Sequence, residues 1–301
     1  MRDWSVDQRD IRLEAEQEAA SWPALMLEAQ RIAQTVAAGL HGRRRAGPGE
    51  SFWQHRPYAF GDPVGAIDWR QSARAADRLY VRQNEWDTAA ALYFWRDPSA
   101  SLAFSSGAQT PSKRRRADIL ATALAILLSK GGERIAMLGG GRRPFQGRTA
   151  PEKLLEELLR ATNSNDEVSA PPRDELPAGA QALLISDFFS GGTILEERVG
   201  ELARQGVKGV LLQVCDPAEE DFPFEGRVEF SNMGASERLL FGDVSTVRGD
   251  YKKRFSSHRD ALAALAGAVG WTFLSHRTDR APQTALLALI AALGDGREWT
   301  G

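Results

Sequence analysis

The sequence is poor in the residues that build thiolate or imidazole metal sites. Its 301 residues include one cysteine, Cys215, and four histidines. A single cysteine excludes an internal disulfide and a cysteine-rich zinc site, and it is typical of a reducing compartment. The histidines show no metal-ligand spacing. The sequence therefore predicts a fold that is held together by packing rather than by disulfides or zinc.

Charge excess and long apolar runs are also lacking. Lys and Arg total 38 against 40 Asp and Glu, a formal net charge of −2, so the basic surplus of a general nucleic-acid binder is missing. The first ten residues mix both charge signs, unlike a signal peptide, and the longest apolar run, residues 285–293, is too short to cross a bilayer. We expect a cytoplasmic protein with no transmembrane segment and no nucleic-acid partner, whose association with membranes would be peripheral and through partners.

What the chain does have is an alternation of apolar and amphipathic segments. The strand candidates are continuous apolar runs, as in a parallel sheet covered on both faces, and the helix candidates lie between them. We predict a Rossmann-like α/β domain over residues 87–301, preceded by an arm and helix over 1–42 and by a Gly-, Pro- and aromatic-rich segment over 43–86. The strand candidates are 89–95, 134–138, 182–186, 209–214 and 271–275; the helix candidates are 111–130, 151–161, 193–205, 250–269 and 282–293.

Three of the strand candidates run directly into an aspartate. Asp97, Asp187 and Asp216 each follow such a strand. In an open parallel sheet the ligand site lies beyond the carboxyl ends of the strands. Oxygen ligands at that edge suit a hard cation such as Mg²⁺ or Mn²⁺. The sequence therefore predicts a candidate site at this edge.

The first of these aspartates opens a D-x-S-x-S loop. Asp97, Ser99 and Ser101 place a carboxylate and two hydroxyls on one loop at alternate positions, which is coherent for Mg²⁺ or Mn²⁺. Asp187 would add a ligand from a second strand end. Thr149 is a further candidate, although Thr149-Ala150-Pro151-Glu152 also has the form of a capping box. The competing interpretation is that Asp97 caps a turn and the serines fill a loop.

Residues 46–104 resemble the signature of the bacterial domain-of-unknown-function family 58. That family is similar to the von Willebrand factor type A fold, whose metal-ion-dependent adhesion site uses D-x-S-x-S, a Thr and a second Asp. The resemblance maps this site onto Asp97, Ser99, Ser101, Thr149 and Asp187. The matching segments are Gly47-Pro48-Gly49-Glu50-Ser51-Phe52, Arg56-Pro57-Tyr58, Gly61-Asp62-Pro63, Ile67-Asp68-Trp69, Ser72-Ala73-Arg74, Leu79-Tyr80-Val81-Arg82 and Asp97-Pro98-Ser99-Ala100-Ser101.

The resemblance also implies a role. Family members are typically encoded beside AAA+ ATPases of the MoxR type, which implies an adaptor in an ATPase-driven chaperone system. We therefore expect a non-enzymatic protein-interaction module with a metal-ion-dependent site and a MoxR-type partner. Two alternatives stay open: a metal-dependent phosphohydrolase with Asp97 as nucleophile, and a metal-free scaffold. Against the first, Ser99 occupies the position where such enzymes carry a second Asp, and no lysine stands in an obvious supporting place.

Two sets of charged residues are expected to be structural or solvated. The signature carries balanced charges among aromatic side chains, which favours ion pairs that lock this segment to the α/β domain, with a docking surface as the alternative. The run from Lys113 to Arg116 begins a predicted helix, where cations oppose the helix dipole; we expect a solvated face. The signature residues are Arg56, Asp62, Asp68, Trp69, Arg74 and Arg82.

Overall fold

The computed structural model describes residues 23–38, 54–57, 72–73, 79–83, 91–107, 109–141, 143–162, 170–231 and 238–294. The chain divides into two units, Met1–Arg44 with Ala90–Arg297 and Arg45–Ala89 with Glu298–Gly301. In the second unit, strands β1 (Gln54–Pro57) and β2 (Tyr80–Gln83) pair antiparallel, with Arg56 opposite Val81 and His55 opposite Arg82. The other signature residues, Asp62, Asp68, Trp69 and Arg74, lie outside the described residues, so the ion pairs expected of the charged ones stay predictions.

The first unit contains a five-stranded parallel sheet, as the apolar runs predict. Its strands are β3 (Ala91–Arg96), β4 (Arg134–Met137), β5 (Gln181–Ser186), β6 (Lys208–Cys215) and β9 (Thr272–Arg277), in the order β4-β3-β5-β6-β9. All four pairings are parallel. The predicted α/β fold class is confirmed, and the strand ends lie within two residues of the predicted ones.

Helices cover both faces of this sheet. The helices are α1 (residues 23–38), α2 (Lys113–Lys130), α3 (Ala150–Thr162), α4 (Gly192–Arg204), α5 (Pro217–Asp221), α6 (Ser245–Ala268) and α7 (Pro282–Gly294). One core cluster joins α1, α2, α3 and α7 to alternate residues of the strands, and a second joins α4 and α6 to the other face. Because every central strand contributes to both clusters, continuous apolar runs are what this sheet requires.

The order of the strands creates a crevice between β3 and β5. The chain leaves β3 toward β4 on one side, and it leaves β5 toward β6 on the other. The loops that follow these two neighbouring strands therefore diverge, which is the topological switch point where open α/β sheets bind ligands. Asp97 and Asp187 are the first residues beyond these two strands.

A close contact with a tryptophan ring explains why one residue of the sheet is glycine. A Cβ on Gly209 of β6 would lie 2.5 Å from a ring carbon of Trp271. The indole of Trp271 is buried and donates its Nε1–H to the Val207 carbonyl at 2.9 Å. Residue 209 is therefore glycine because the indole takes the space that a side chain would need.

The short hairpin of β7 (Val228–Ser231) and β8 (Arg238–Phe241) was not predicted from the sequence. The two strands pair antiparallel between α5 and α6, with Val228 opposite Phe241. Neighbouring aromatic rings pack together here: the Phe222 ring stacks on that of Tyr251 with centroids 4.4 Å apart, and Phe222 lies 5.9 Å from Phe230. The hairpin is thereby connected to the first turns of α6.

Candidate site at the carboxyl edge of the sheet

Asp97 lies fully buried at the end of β3, and both of its carboxylate oxygens accept hydrogen bonds. The Ser99 amide donates to Oδ1 at 2.8 Å, and the Ser186 hydroxyl donates to Oδ2 at 2.5 Å. The Asp97 amide donates to the Ile185 carbonyl at 2.9 Å, which extends the ladder between β3 and β5 by one step. The carboxylate is thus held in a fixed orientation at the switch point.

Ser99 and Ser101 present their hydroxyls side by side on the same loop. Their Oγ atoms are 2.9 Å apart, and both residues are half-buried. A short 3₁₀ turn, Ala100–Ala103, sets this spacing, and the Arg114 guanidinium donates to the Ser99 carbonyl at 3.2 Å. The loop therefore carries two adjacent hydroxyls after Asp97, whose Oδ1 accepts from the Ser99 amide.

The carboxylate of Asp187, at the end of β5, is bound to a buried lysine. The Lys113 ammonium donates to Asp187 Oδ2 at 2.8 Å and to Glu219 Oε1 at 2.5 Å. The Phe189 amide donates to the other oxygen, Oδ1 of Asp187, at 3.1 Å. Asp187 and Lys113 are almost completely buried, with 0% and 1% of their surfaces exposed. The expectation of a solvated face is therefore wrong for Lys113.

The electrostatics of this group favour the charged lysine. Burial lowers the pKa of Lys113, but the Asp187 and Glu219 carboxylates raise it by more, so the pKa lies above the ordinary lysine value. Burial raises the pKa of Glu219, and Lys113 partly offsets this effect. The Lys113 ammonium also lies 5.5 Å from the Phe189 ring and 5.8 Å from the Phe104 ring. A protonated Lys113 thus sits between two carboxylates and two aromatic rings.

The third strand-end aspartate, Asp216, has a structural role. Its Oδ1 accepts from the Ala218 amide and its Oδ2 from the Ser106 amide, both at 2.9 Å. The Asp216 amide donates to Glu219 Oε2 at 2.8 Å, which completes a capping box at the start of α5. This cap also orients Glu219 toward Lys113.

A buried ion pair between Arg96 and Asp118 lies directly before Asp97 and helps to hold the loop of Asp97, Ser99 and Ser101 (the Asp97 loop). The Arg96 guanidinium bonds Asp118 of α2 at 3.0 Å, and it also donates to the Asp97 carbonyl at 2.9 Å and to the Leu158 carbonyl of α3. Both charged side chains are buried. Burial raises the pKa of Asp118, and Arg96 and Arg114 partly offset that rise. Arg96 therefore connects β3, α2, α3 and the candidate site.

The structure does not bring Thr149 to this edge. Phe145 bridges antiparallel to Ile135 of β4, and the Gln146 side chain donates from Nε2 to the Gly132 carbonyl just before β4. The chain therefore reaches the opposite edge of the sheet before α3 begins at Ala150. The Leu158 carbonyl, eight residues after Ala150, accepts a hydrogen bond from Arg96 at the end of β3. The rise along the helix therefore places Thr149 about 12 Å or more from Arg96 in the direction of the helix axis. Its exposed position directly before α3 agrees with a helix start rather than a ligand.

Sequence reasoning missed Ser186, Lys113 and Glu219. Ser186 is the last residue of β5, and its hydroxyl bonds Asp97. Lys113 was hidden in a basic run, although a cation in the first turn of a helix is unfavourable unless a carboxylate offsets the dipole. Glu219 occupies the third position of the capping box, a signal that was present in Asp216-Pro217-Ala218-Glu219.

The described side chains contain no group of three or more His, Cys, Asp or Glu placed to hold a metal ion. A site of one carboxylate and two hydroxyls is of a different kind. Within the described ranges, no helix combines the length and the apolar character that a membrane crossing needs. These observations leave a hydroxyl-rich edge beside a lysine-carboxylate cluster as the candidate site.

The all-parallel sheet, with its switch point between β3 and β5, places the first unit in the class of open α/β folds. More specifically, the chain belongs to the family described as Protein of unknown function DUF58, which matches residues 54–261. Uncharacterized proteins of Mycobacterium bovis and Mycobacterium tuberculosis are each 28% identical over 276 residues, covering 87% of this chain and 85% of theirs. None of these matches names an enzymatic activity.

Two solved structures are also similar. A conserved hypothetical protein BatB from Bacteroides thetaiotaomicron is 12% identical, with a TM-score of 0.36 and coverage of 67% of this chain and 97% of that one. An aerotolerance-related membrane protein from Bacteroides fragilis is 11% identical, with a TM-score of 0.38 and coverage of 68% and 98%. Likeness at this level says nothing about what the present chain binds.

Proposed function

We propose that this protein is a non-enzymatic protein-interaction module whose metal-ion-dependent site lies at the carboxyl edge of the sheet. Asp97, Ser99 and Ser101 would hold Mg²⁺ or Mn²⁺ together with Asp187, and a carboxylate of a partner protein would complete the coordination. The observation that carries the proposal is the pair of hydroxyls, 2.9 Å apart, on the loop that follows Asp97 at the switch point.

The hydroxyl spacing fits an octahedral cation. Mg²⁺ binds oxygens at about 2.0–2.1 Å, so neighbouring ligands of an octahedron lie about 2.9 Å apart. The Oγ atoms of Ser99 and Ser101 have this separation, which is also that of an ordinary hydrogen bond. A carboxylate offers about four lone-pair positions, so accepting hydrogen bonds from Ser99 and Ser186 is compatible with binding a cation. The Asp97 loop therefore fits a divalent cation, whereas Asp187 is bound to the Lys113 ammonium in this structure.

The alternative of a phosphohydrolase is less well supported. The burial of Asp97 and its bonds from Ser99 and Ser186 would restrict access by a phosphorus atom and by a cation alike, so they do not separate the two functions. The position two residues on, where such enzymes carry a second acid, is Ser99. A supporting lysine does lie in the site, contrary to the expectation from the sequence, and it is held by Asp187 and Glu219.

The surface next to the site suits a protein partner. Phe189, two residues after Asp187, is 44% exposed although its ring contacts Phe255 and His258 of α6. An exposed aromatic ring beside a polar site is typical of a protein contact. The partner that we propose is an AAA+ ATPase of the MoxR type, which would present an Asp or Glu to the cation.

The test is capture of the purified MoxR-type ATPase by the full chain, with Mg²⁺ or with EDTA. We expect capture to depend on Mg²⁺, to be lost in the Ser99→Ala/Ser101→Ala variant, and to weaken in Phe189→Ala. Ser105→Ala is the matched control, since Ser105 is exposed on the same loop and its hydroxyl bonds the Gly107 and Thr110 carbonyls.

Two outcomes would favour the alternatives. Equal capture with EDTA and in the double-serine variant would indicate a metal-free scaffold. Turnover of a phosphate ester by the full chain that disappears in Asp97→Asn would indicate a phosphohydrolase.

A further inference from the structure

Lys113 occupies an unusual position for a cation. It is the first residue of α2, where Ser112 caps the helix by accepting from the Arg115 amide. A positive charge here opposes the helix dipole, and burial of the ammonium adds a desolvation cost. Contacts with Asp187 and Glu219 offset these costs, so the position of Lys113 depends on the two carboxylates.

The ammonium occupies one of the two Asp187 oxygens. Of the two Asp187 oxygens, Oδ1 accepts from the Phe189 amide and Oδ2 from Lys113. Further contacts fix the Asp187 segment, since the Gln213 side chain donates to the Asp187 carbonyl at 3.2 Å. A divalent cation that binds Asp187 Oδ2 would therefore compete with the Lys113 ammonium for that oxygen.

We propose that Lys113 is a built-in competitor of the divalent cation, a tethered ammonium that neutralises Asp187 when no metal is bound and must leave it when metal enters. This inference rests on the proposed metal site and specifies how that site is regulated. It assigns to Lys113 a role in setting metal affinity, and to Glu219 the role of holding the displaced ammonium.

Charge accounts for the competition. An ammonium and a divalent cation a few ångströms apart repel strongly in a protein interior, where effective dielectric constants are well below that of water. Binding of the metal therefore requires that the Lys113–Asp187 ion pair break and that the Lys113–Glu219 pair remain. The capping box of α5 holds Glu219 in place. Binding of metal alone should consequently be weak, and an acidic partner side chain should strengthen it by adding negative charge.

The experiment is isothermal titration of the full chain with Mg²⁺ and with Mn²⁺ at constant ionic strength. Lys113→Gln is the main variant, since a neutral amide keeps two donors for Asp187 and Glu219. Lys113→Met is a second neutral variant, and Lys113→Arg is the charge-retaining control. Near-ultraviolet circular dichroism of each variant establishes that it is folded before titration.

We expect the neutral variants to bind either cation about ten-fold or more tightly than the wild type, since they remove a like charge from the site. Lys113→Arg should bind no more tightly than the wild type, and adding Asp97→Asn should abolish the gain. Affinity that is unchanged or lower in folded neutral variants would overturn the inference while leaving the metal site standing. Binding by the neutral variants but not by the wild type would support the inference and count against a metal-dependent function. No binding by any variant would overturn both.

Discussion

Replacing Asp118 by alanine is expected to destabilise the α/β unit strongly. The carboxylate pairs with Arg96 at 3.0 Å, and the two side chains are only 4% and 0% exposed. Removing one partner of a buried pair costs about 3–5 kcal/mol, because the remaining charge stays away from water. For a domain of about 150–250 residues this corresponds to a fall in Tm of about 6–20 °C. The same guanidinium holds the Asp97 carbonyl, so the candidate site should loosen as well.

The assay is thermal and urea unfolding of the wild type and three variants, followed by circular dichroism. Asp118→Asn keeps an acceptor for Arg96 and should lose less than Asp118→Ala. Glu156→Ala is the control, because Glu156 pairs with Arg160 at 3.7 Å on the exposed face of α3; such pairs contribute about 1 kcal/mol or less. If Asp118→Ala cost no more than Glu156→Ala, the buried pair would not support the sheet edge, and the reasoning would be refuted.

Three further outcomes are expected. Gly209→Ala should destabilise the protein by about 1–3 kcal/mol in urea unfolding, since its Cβ would meet the Trp271 ring at 2.5 Å; no loss would mean that the indole can move. Burial raises the pKa of the Cys215 thiol to about 12, so a thiol reagent at neutral pH should label it only after denaturation. Burial, and secondly the charge of Arg116, lowers the pKa of His276 to about 4, so the native state holds this imidazole neutral. This preference contributes up to about 3 kcal/mol to the free energy of unfolding, and the contribution should be lost as pH falls from about 6.5 to 4. His276→Phe should flatten the acid side of the stability profile, and an unchanged profile would argue against a buried neutral histidine.

The sheet could be predicted because its physical signal is local. Strands β3, β5 and β6 are buried on both faces, so their sequences are continuous apolar runs that end where the chain reaches the site. Helix α6 begins at Ser245, five residues before the predicted start at residue 250. The start was predicted too late because the first residues lack the apolar periodicity of the later turns and include Gly249, a poor helix former. The β7–β8 hairpin lies outside the parallel sheet, and its strands are partly exposed rather than buried on both faces, so no continuous apolar run marks them.

The candidate site was predictable in part for the same reason. Parallel strands end at one edge, so the positions of Asp97 and Asp187 follow from the strands alone. The burial of Lys113 could not be read from a run of four basic residues, since only tertiary packing turns one of them toward Asp187 and Glu219. The position of Thr149 depends on the chain turning back along β4, which apolar patterning does not reveal.

The most direct test of the central claim is the Tm of the full chain as a function of Mg²⁺ concentration at constant ionic strength, with Ser99→Ala/Ser101→Ala as the paired variant. A cation that binds only the folded state should raise the wild-type Tm progressively, with a stabilisation of about 1.4 kcal/mol at ten times its Kd. The account predicts this rise in the wild type and its loss in the double variant. The same rise in both proteins would contradict a divalent-cation site at Asp97, Ser99 and Ser101, and no rise in either would contradict a metal-dependent function of the wild type.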